Sequence, residues 1–100
     1  MITTALRQRI LAEDGWRCQY CGAFATTLDH IIPKADRRRM KVKSDDEAYL
    51  VAACLDCNVR KGTRRLVPPM WAGRIADLED WSGKRWKVWD GGKVIAEVLR

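Results

Sequence analysis

Four cysteines carry the clearest chemistry: Cys18, Cys21, Cys54 and Cys57 form two Cys-x-x-Cys pairs with 32 residues between them. Thiolates at this spacing converge on one tetrahedral site, which suits zinc. A redox dithiol needs only one such pair, and disulfides belong to oxidising compartments. The segment Met1 to Arg9 has helical periodicity and no apolar stretch leading to a cleavage site, so no secretory leader is expected. A structural zinc held by all four cysteines is therefore predicted. The gap between the pairs exceeds that of a compact zinc ribbon, so something is inserted between the knuckles. His30, the one histidine among the 100 residues, lies in that gap directly after Asp29. A lone histidine is more often a surface or satisfied core residue than a catalyst. Placed beside a carboxylate and between two metal knuckles, it becomes a candidate base.

Three sequence pieces in order carry a family resemblance. They are Gly15-Trp16-Arg17-Cys18-x-x-Cys21-Gly22, then Asp29-His30-Ile31-Ile32-Pro33-Lys34, then Leu50-Val51-x-x-Cys54-x-x-Cys57-Asn58-x-x-Lys61-Gly62. The series resembles the HNH endonuclease motif, in its cysteine-containing branch, over roughly Leu6 to Thr63. That resemblance implies a ββα-metal (His-Me finger) site, in which two antiparallel strands and a helix clasp one divalent cation. It implies that His30 takes a proton from the attacking water, and that Asp29 and Asn58 are ligands of the catalytic metal.

The residue types suit that chemistry. Phosphodiester hydrolysis needs an activated water and positive charge at the leaving oxygen, and a neutral imidazole can serve as the base near physiological pH. A carboxylate and an amide oxygen are hard donors suited to Mg2+, Mn2+ or another divalent ion. Neighbouring strand residues face opposite sides, so a local distortion is expected at Asp29-His30. Asn58 also suits a helix cap. Tyr49 stands where the family usually has a middle asparagine that ties the histidine-bearing loop through its side chain. A tyrosine hydroxyl offers a similar tie; otherwise the loop is held differently, or activity is impaired.

The elements that must position these residues predict an α+β fold. Thr3 to Asp14 reads as an amphipathic helix capped by Thr3 or Thr4 and stopped at Gly15, with Leu6, Ile10 and Leu11 on one face. Thr26 to Ile32 reads as a strand stopped by Pro33, and Lys34 to Glu47 as a charged loop. Leu50 to Ala53 is a short apolar run, and Asn58 to Arg65 a helix with Asn58, Lys61 and Arg65 on one face. Pro68-Pro69 divides residues 1–66, the core with the knuckles, from residues 67–100, an extension packed on the same domain. The extension should hold a helix over Met70 to Asp80 and a β-hairpin around Asp90-Gly91-Gly92. The five tryptophans suit core and hairpin packing better than base stacking.

The formal charge is +6, from 19 Lys and Arg against 13 Asp and Glu. The excess concentrates in Arg37, Arg38, Arg39 and Lys41, and in Arg60, Lys61, Arg64 and Arg65. Such stripes are the footprint of a phosphate-backbone partner, or else a solvated face. Double-stranded DNA is the expected partner, with low sequence preference because backbone contacts carry no base information. The resemblance further implies a small phage-type nuclease, some of which assist a terminase or another phage protein. No apolar run approaches membrane-spanning length. A cytoplasmic monomer or weak dimer is expected, in the host cytoplasm if phage-encoded. The alternative function is a zinc-knuckle nucleic-acid-binding module without cutting activity.

Overall fold

The computed structural model describes residues 2–33, 36–37, 40 and 47–97; Arg38, Arg39 and Lys41 lie outside them. Helix α1 spans Thr4–Glu13. Thr3 caps it, its Oγ1 accepting the Leu6 N–H at 3.1 Å, a contact worth about 1 kcal/mol. Ile10 and Leu11 are buried and Leu6 is half-buried, so the expected apolar face packs onto the strands that follow. Gly15 (φ 66°) and Trp16 (φ 57°) then turn the chain through two left-handed residues.

Strands β1 (Thr27–His30) and β2 (Leu50–Ala53) form an antiparallel ladder with Thr27 opposite Ala53 and His30 opposite Leu50. β1 is shorter than Thr26 to Ile32 because Ile31 and Ile32 leave the ladder to fill the core, where both are fully buried. Helix α2 (Leu55–Lys61) follows after one residue, Cys54, whose sulfur accepts the Cys57 N–H at 3.4 Å and caps the helix. The cap is therefore the cysteine and not Asn58. Gly62, at φ 55°, stops the helix directly after Lys61, in a conformation that favours glycine. The expected helix of Asn58 to Arg65 thus starts too late and ends too late, and Arg65 does not share the helical face of Asn58 and Lys61.

Beyond α2 the chain builds a second sheet. β3 (Leu66–Val67) pairs in parallel with β4 (Lys87–Trp89), and β4 pairs antiparallel with β5 (Val94–Glu97). The parallel partner β3 adds a strand to the expected hairpin, since two residues carry no readable period. A 3-10 segment, Pro69–Arg74, and helix α3, Ile75–Ser82, connect β3 to β4. The α-helix begins only beyond Gly73, a weak helix former, so the helix expected from Met70 is split. Trp71, Ile75 and Leu78 are nonetheless buried at the expected spacing. Buried Ser82 accepts the Trp86 indole N–H at 2.9 Å and donates to the Leu78 carbonyl at 2.8 Å.

The second sheet lies against the first cysteine knuckle. The Trp89 ring centre is 5.7 Å from that of Tyr20. Gly91, at φ 60°, approaches so closely that a Cβ there would sit 2.6 Å from the Cys21 Cβ. Gly91→Ala is therefore expected to destabilise the protein by about 2–4 kcal/mol through strain and overlap. Gly92→Ala, whose nearest neighbour is 4.0 Å away, should cost under about 1 kcal/mol. Denaturant titration of the two variants checks this; coincident midpoints would refute the close approach.

Candidate active site and metal centre

Cys18, Cys21, Cys54 and Cys57 are free thiols, and their sulfurs lie within 4.8 Å of one another. The Cys21 and Cys54 sulfurs are 3.7 Å apart, close to the ~3.8 Å that bonds of about 2.3 Å impose around a tetrahedral ion. The cluster can hold a metal such as zinc. Local turns make it: the Cys18 N–H reaches the Ala23 carbonyl at 2.7 Å, and the Gly22 N–H reaches the Cys18 carbonyl at 2.8 Å. The Gln19 N–H joins this knuckle to β2 through the Ala52 carbonyl at 3.0 Å. Burial pushes the Cys57 thiol up, and the neighbouring sulfurs of Cys21 and Cys54 add to it. Burial also raises Cys18, but main-chain hydrogen bonds at Cys54, Cys21 and Tyr20 outweigh it and leave that thiol lowered.

A second cluster forms where β1 meets α2. Asp29 is only 5% exposed. Its Oδ2 accepts the Tyr20 hydroxyl and lies 2.7 Å from the Lys61 ammonium, which also donates to the His30 carbonyl at 3.1 Å. Burial pulls the Lys61 ammonium below its ordinary range while the Asp29 charge pulls it back. Burial, reinforced by that same charge, raises the Tyr20 phenol. The Asn58 amide nitrogen donates to the Leu28 carbonyl at 3.0 Å, fastening α2 to β1 one residue before Asp29. His30 is exposed on the opposite face. The ladder keeps a regular register through both residues, so the distortion expected at Asp29-His30 is absent: a straight strand sends one side chain inward and the other out.

Tyr49 ends a 3-10 turn, Glu47–Tyr49. Its main-chain carbonyl accepts the Ile31 N–H at 2.9 Å, while its ring packs 6.3 Å from that of Trp71. The Ile31–Tyr49 bond beside His30 is a main-chain hydrogen bond, which any residue type can supply.

Residues 18–64 match a family model described as HNH endonuclease. This segment is similar to HNH endonucleases. No curated protein and no solved structure gives a match. The matched segment holds all four cysteines together with Asp29, His30, Tyr49 and Asn58.

Within the matched segment and just beyond it, the expected basic cluster divides. Lys61 is 2% exposed and paired with Asp29, so it does not present its charge to a ligand outside, contrary to the reading as a phosphate contact. Arg65 is bound in bidentate fashion by buried Asp36 at 2.7 and 2.9 Å. Arg60 and Arg64 remain on the exposed side, each within about 5.5 Å of the Trp89 ring centre. Arg37 is exposed as well. Sequence reasoning missed the binding of Asp29 by Tyr20 and Lys61. Helical period places Lys61 on the Asn58 face but says nothing of depth.

Replacing Cys18 or Cys57 with serine is expected to abolish both metal binding and folding, because structural metal binding and folding are one event. Metal analysis with circular dichroism decides this, and a soluble, metal-free variant with a native-like spectrum would falsify it. Lys61→Met strands a buried carboxylate and should cost about 3–5 kcal/mol. Tyr20→Phe removes one hydrogen bond and should cost about 1–3 kcal/mol. Equilibrium unfolding should therefore rank Lys61→Met below Tyr20→Phe; the reverse order would mean that the ion pair is not the principal partner of Asp29.

Proposed function

We propose that this chain is a metal-dependent endonuclease that hydrolyses DNA phosphodiester bonds with low sequence specificity. On this reading the fold is a ββα-metal core over residues 1–66, stapled by a structural zinc at Cys18, Cys21, Cys54 and Cys57, and residues 67–100 are an extension packed on it. The observation that carries the reading is the hydrogen bond from Asn58 to the Leu28 carbonyl at 3.0 Å. It draws the helix residue of the motif onto the strand that bears Asp29 and His30, so the three residues of the motif come from a hairpin and a helix held side by side.

The donor set fits a hard divalent ion such as Mg2+ or Mn2+. Asn58 uses its amide nitrogen on the strand, which leaves the amide oxygen for a cation. Asp29 places Oδ2 against Tyr20 and Lys61, and its other carboxylate oxygen would be the second hard donor of this reading. A divalent ion held by Asp29 and Asn58 would supply positive charge for the transition state and the departing oxygen. His30, exposed at the end of β1 on the face away from Asp29, is the base of this reading, a role that the His30→Ala comparison below tests. Lys61 and Tyr20 hold the carboxylate in place from behind.

A second reading, a binding module that has lost cutting, is favoured by one observation: Asp29 is buried and already bonded to two donors. A supercoiled-plasmid assay with magnesium, manganese, nickel or zinc separates the two. Wild type is expected to nick or linearise plasmid with at least one of these ions, and His30→Ala to be slower by about 100-fold or more. Intact plasmid with every metal would leave the binding module as the function. Equal cutting by His30→Ala would remove His30 as the base.

A further inference from the structure

The four cations of the segment Arg60 to Arg65 are treated very differently by the fold, and the difference is informative. Lys61 and Arg65 are neutralised by buried carboxylates, Asp29 and Asp36. Arg60 and Arg64 are exposed, yet both are fixed in place by groups that leave their charge intact. The Arg60 guanidinium carbon stands 5.4 Å from the Trp89 ring centre and that of Arg64 stands 5.5 Å from the same centre. Arg60 donates to the Gly91 carbonyl at 2.6 Å, and Arg64 donates to the Arg60 carbonyl at 2.9 Å. Among the described residues a carboxylate is near only for Arg60, where Asp56 lies 3.7 Å away with its side chain 77% exposed, a contact of little strength in water.

Two like charges gathered around one indole repel each other unless an anion joins them. The ring face attracts each cation, and the carbonyls hold the planes, so little side-chain entropy remains to be lost when a ligand arrives. Each guanidinium has five N–H donors, and each of these carbonyl bonds engages one of its nitrogens, which leaves the other nitrogens of both exposed side chains to donate. Guanidinium donors match phosphate oxygens. We propose that Arg60 and Arg64, mounted on Trp89, form a pre-organised site for backbone phosphate of double-stranded DNA, so that the β4–β5 hairpin is part of the nucleic-acid interface. This rests on the nuclease reading above and assigns to the extension a task which that reading leaves open.

The test uses the full chain, metal-loaded, in a His30→Ala background that keeps the probe intact. Binding to a fluorescein-labelled duplex of about 20 base pairs is followed by anisotropy over a series of salt concentrations. Each phosphate contact contributes a slope of about 0.9 in log affinity against log salt. Arg60→Gln/Arg64→Gln should therefore lower the slope by about two and weaken binding at 0.1 M salt by about tenfold or more. Arg60→Lys/Arg64→Lys keeps the charge but loses the stacked fork, so it should retain most of the slope and still bind several-fold more weakly. Arg65→Gln, whose wild-type charge is already paired, should leave the slope unchanged. A slope and affinity unaltered by the double glutamine variant would overturn the site. Wild-type binding by the double lysine variant would overturn its pre-organisation. Absence of any duplex binding by the His30→Ala protein would overturn the nuclease reading and this site together, whereas binding with an unchanged slope would overturn this site alone.

Discussion

A carboxylate withdrawn from water must be answered inside the protein, and Asp29 is answered from two directions. Tyr20 reaches it from the first cysteine knuckle and Lys61 from the end of α2. Strand, knuckle and helix therefore meet at one oxygen atom. Burying an ion pair adds little net stability over an apolar contact of equal size, but leaving one partner alone is costly. The consequence is positional: the helix cannot slide along β1, and the knuckle cannot tilt away, without exposing or stranding a charge. Asn58 adds a neutral bond on the same seam. The motif's geometry is set by this polar junction more than by shape-filling between apolar side chains.

The cysteine cluster supplies the second constraint. It joins the loop after α1 to the entrance of α2, two segments that the sequence separates widely. For a domain of this size, burial alone leaves a thin margin, and a metal clip shortens the excursions of the unfolded chain. Cys54 shows how closely the two tasks are merged, since it is both a member of the cluster and the cap of α2. Any ion held by the sulfurs thus also fixes the helix start, and through it the placement of Asn58 and Lys61.

Much of the site was legible in the sequence because it depends on residue type at short spacing. The cysteine pairs, the Asp29-His30 dipeptide and Asn58 announce themselves, and so does α1, whose cap and apolar face form as expected. What was not legible depends on depth or on main-chain geometry. Periodicity groups Lys61 with Asn58 but cannot say that one of them is buried against Asp29. It carries α2 on to Arg65 because the helix stop at Gly62 competes with a run of good helix formers. Tyr49 draws attention to its hydroxyl, whereas the bond it makes beside His30 comes from its carbonyl, which no side-chain reading reveals. The two-residue strand β3 is too short to carry a pattern, and its partner lies some twenty positions further along the chain.

The seating of Gly91 on Cys21 has a kinetic meaning. The contact joins positions 70 residues apart, Cys21 and Gly91, so closing it early would carry a large loop entropy. It also requires a knuckle that already has its folded shape, because the fit leaves no room for error. Contacts of such long range form late in folding. The hairpin is therefore a reporter of completion: it is expected to dock after the knuckle is built, and an ion held by the four sulfurs would, by shaping that knuckle, favour the docking.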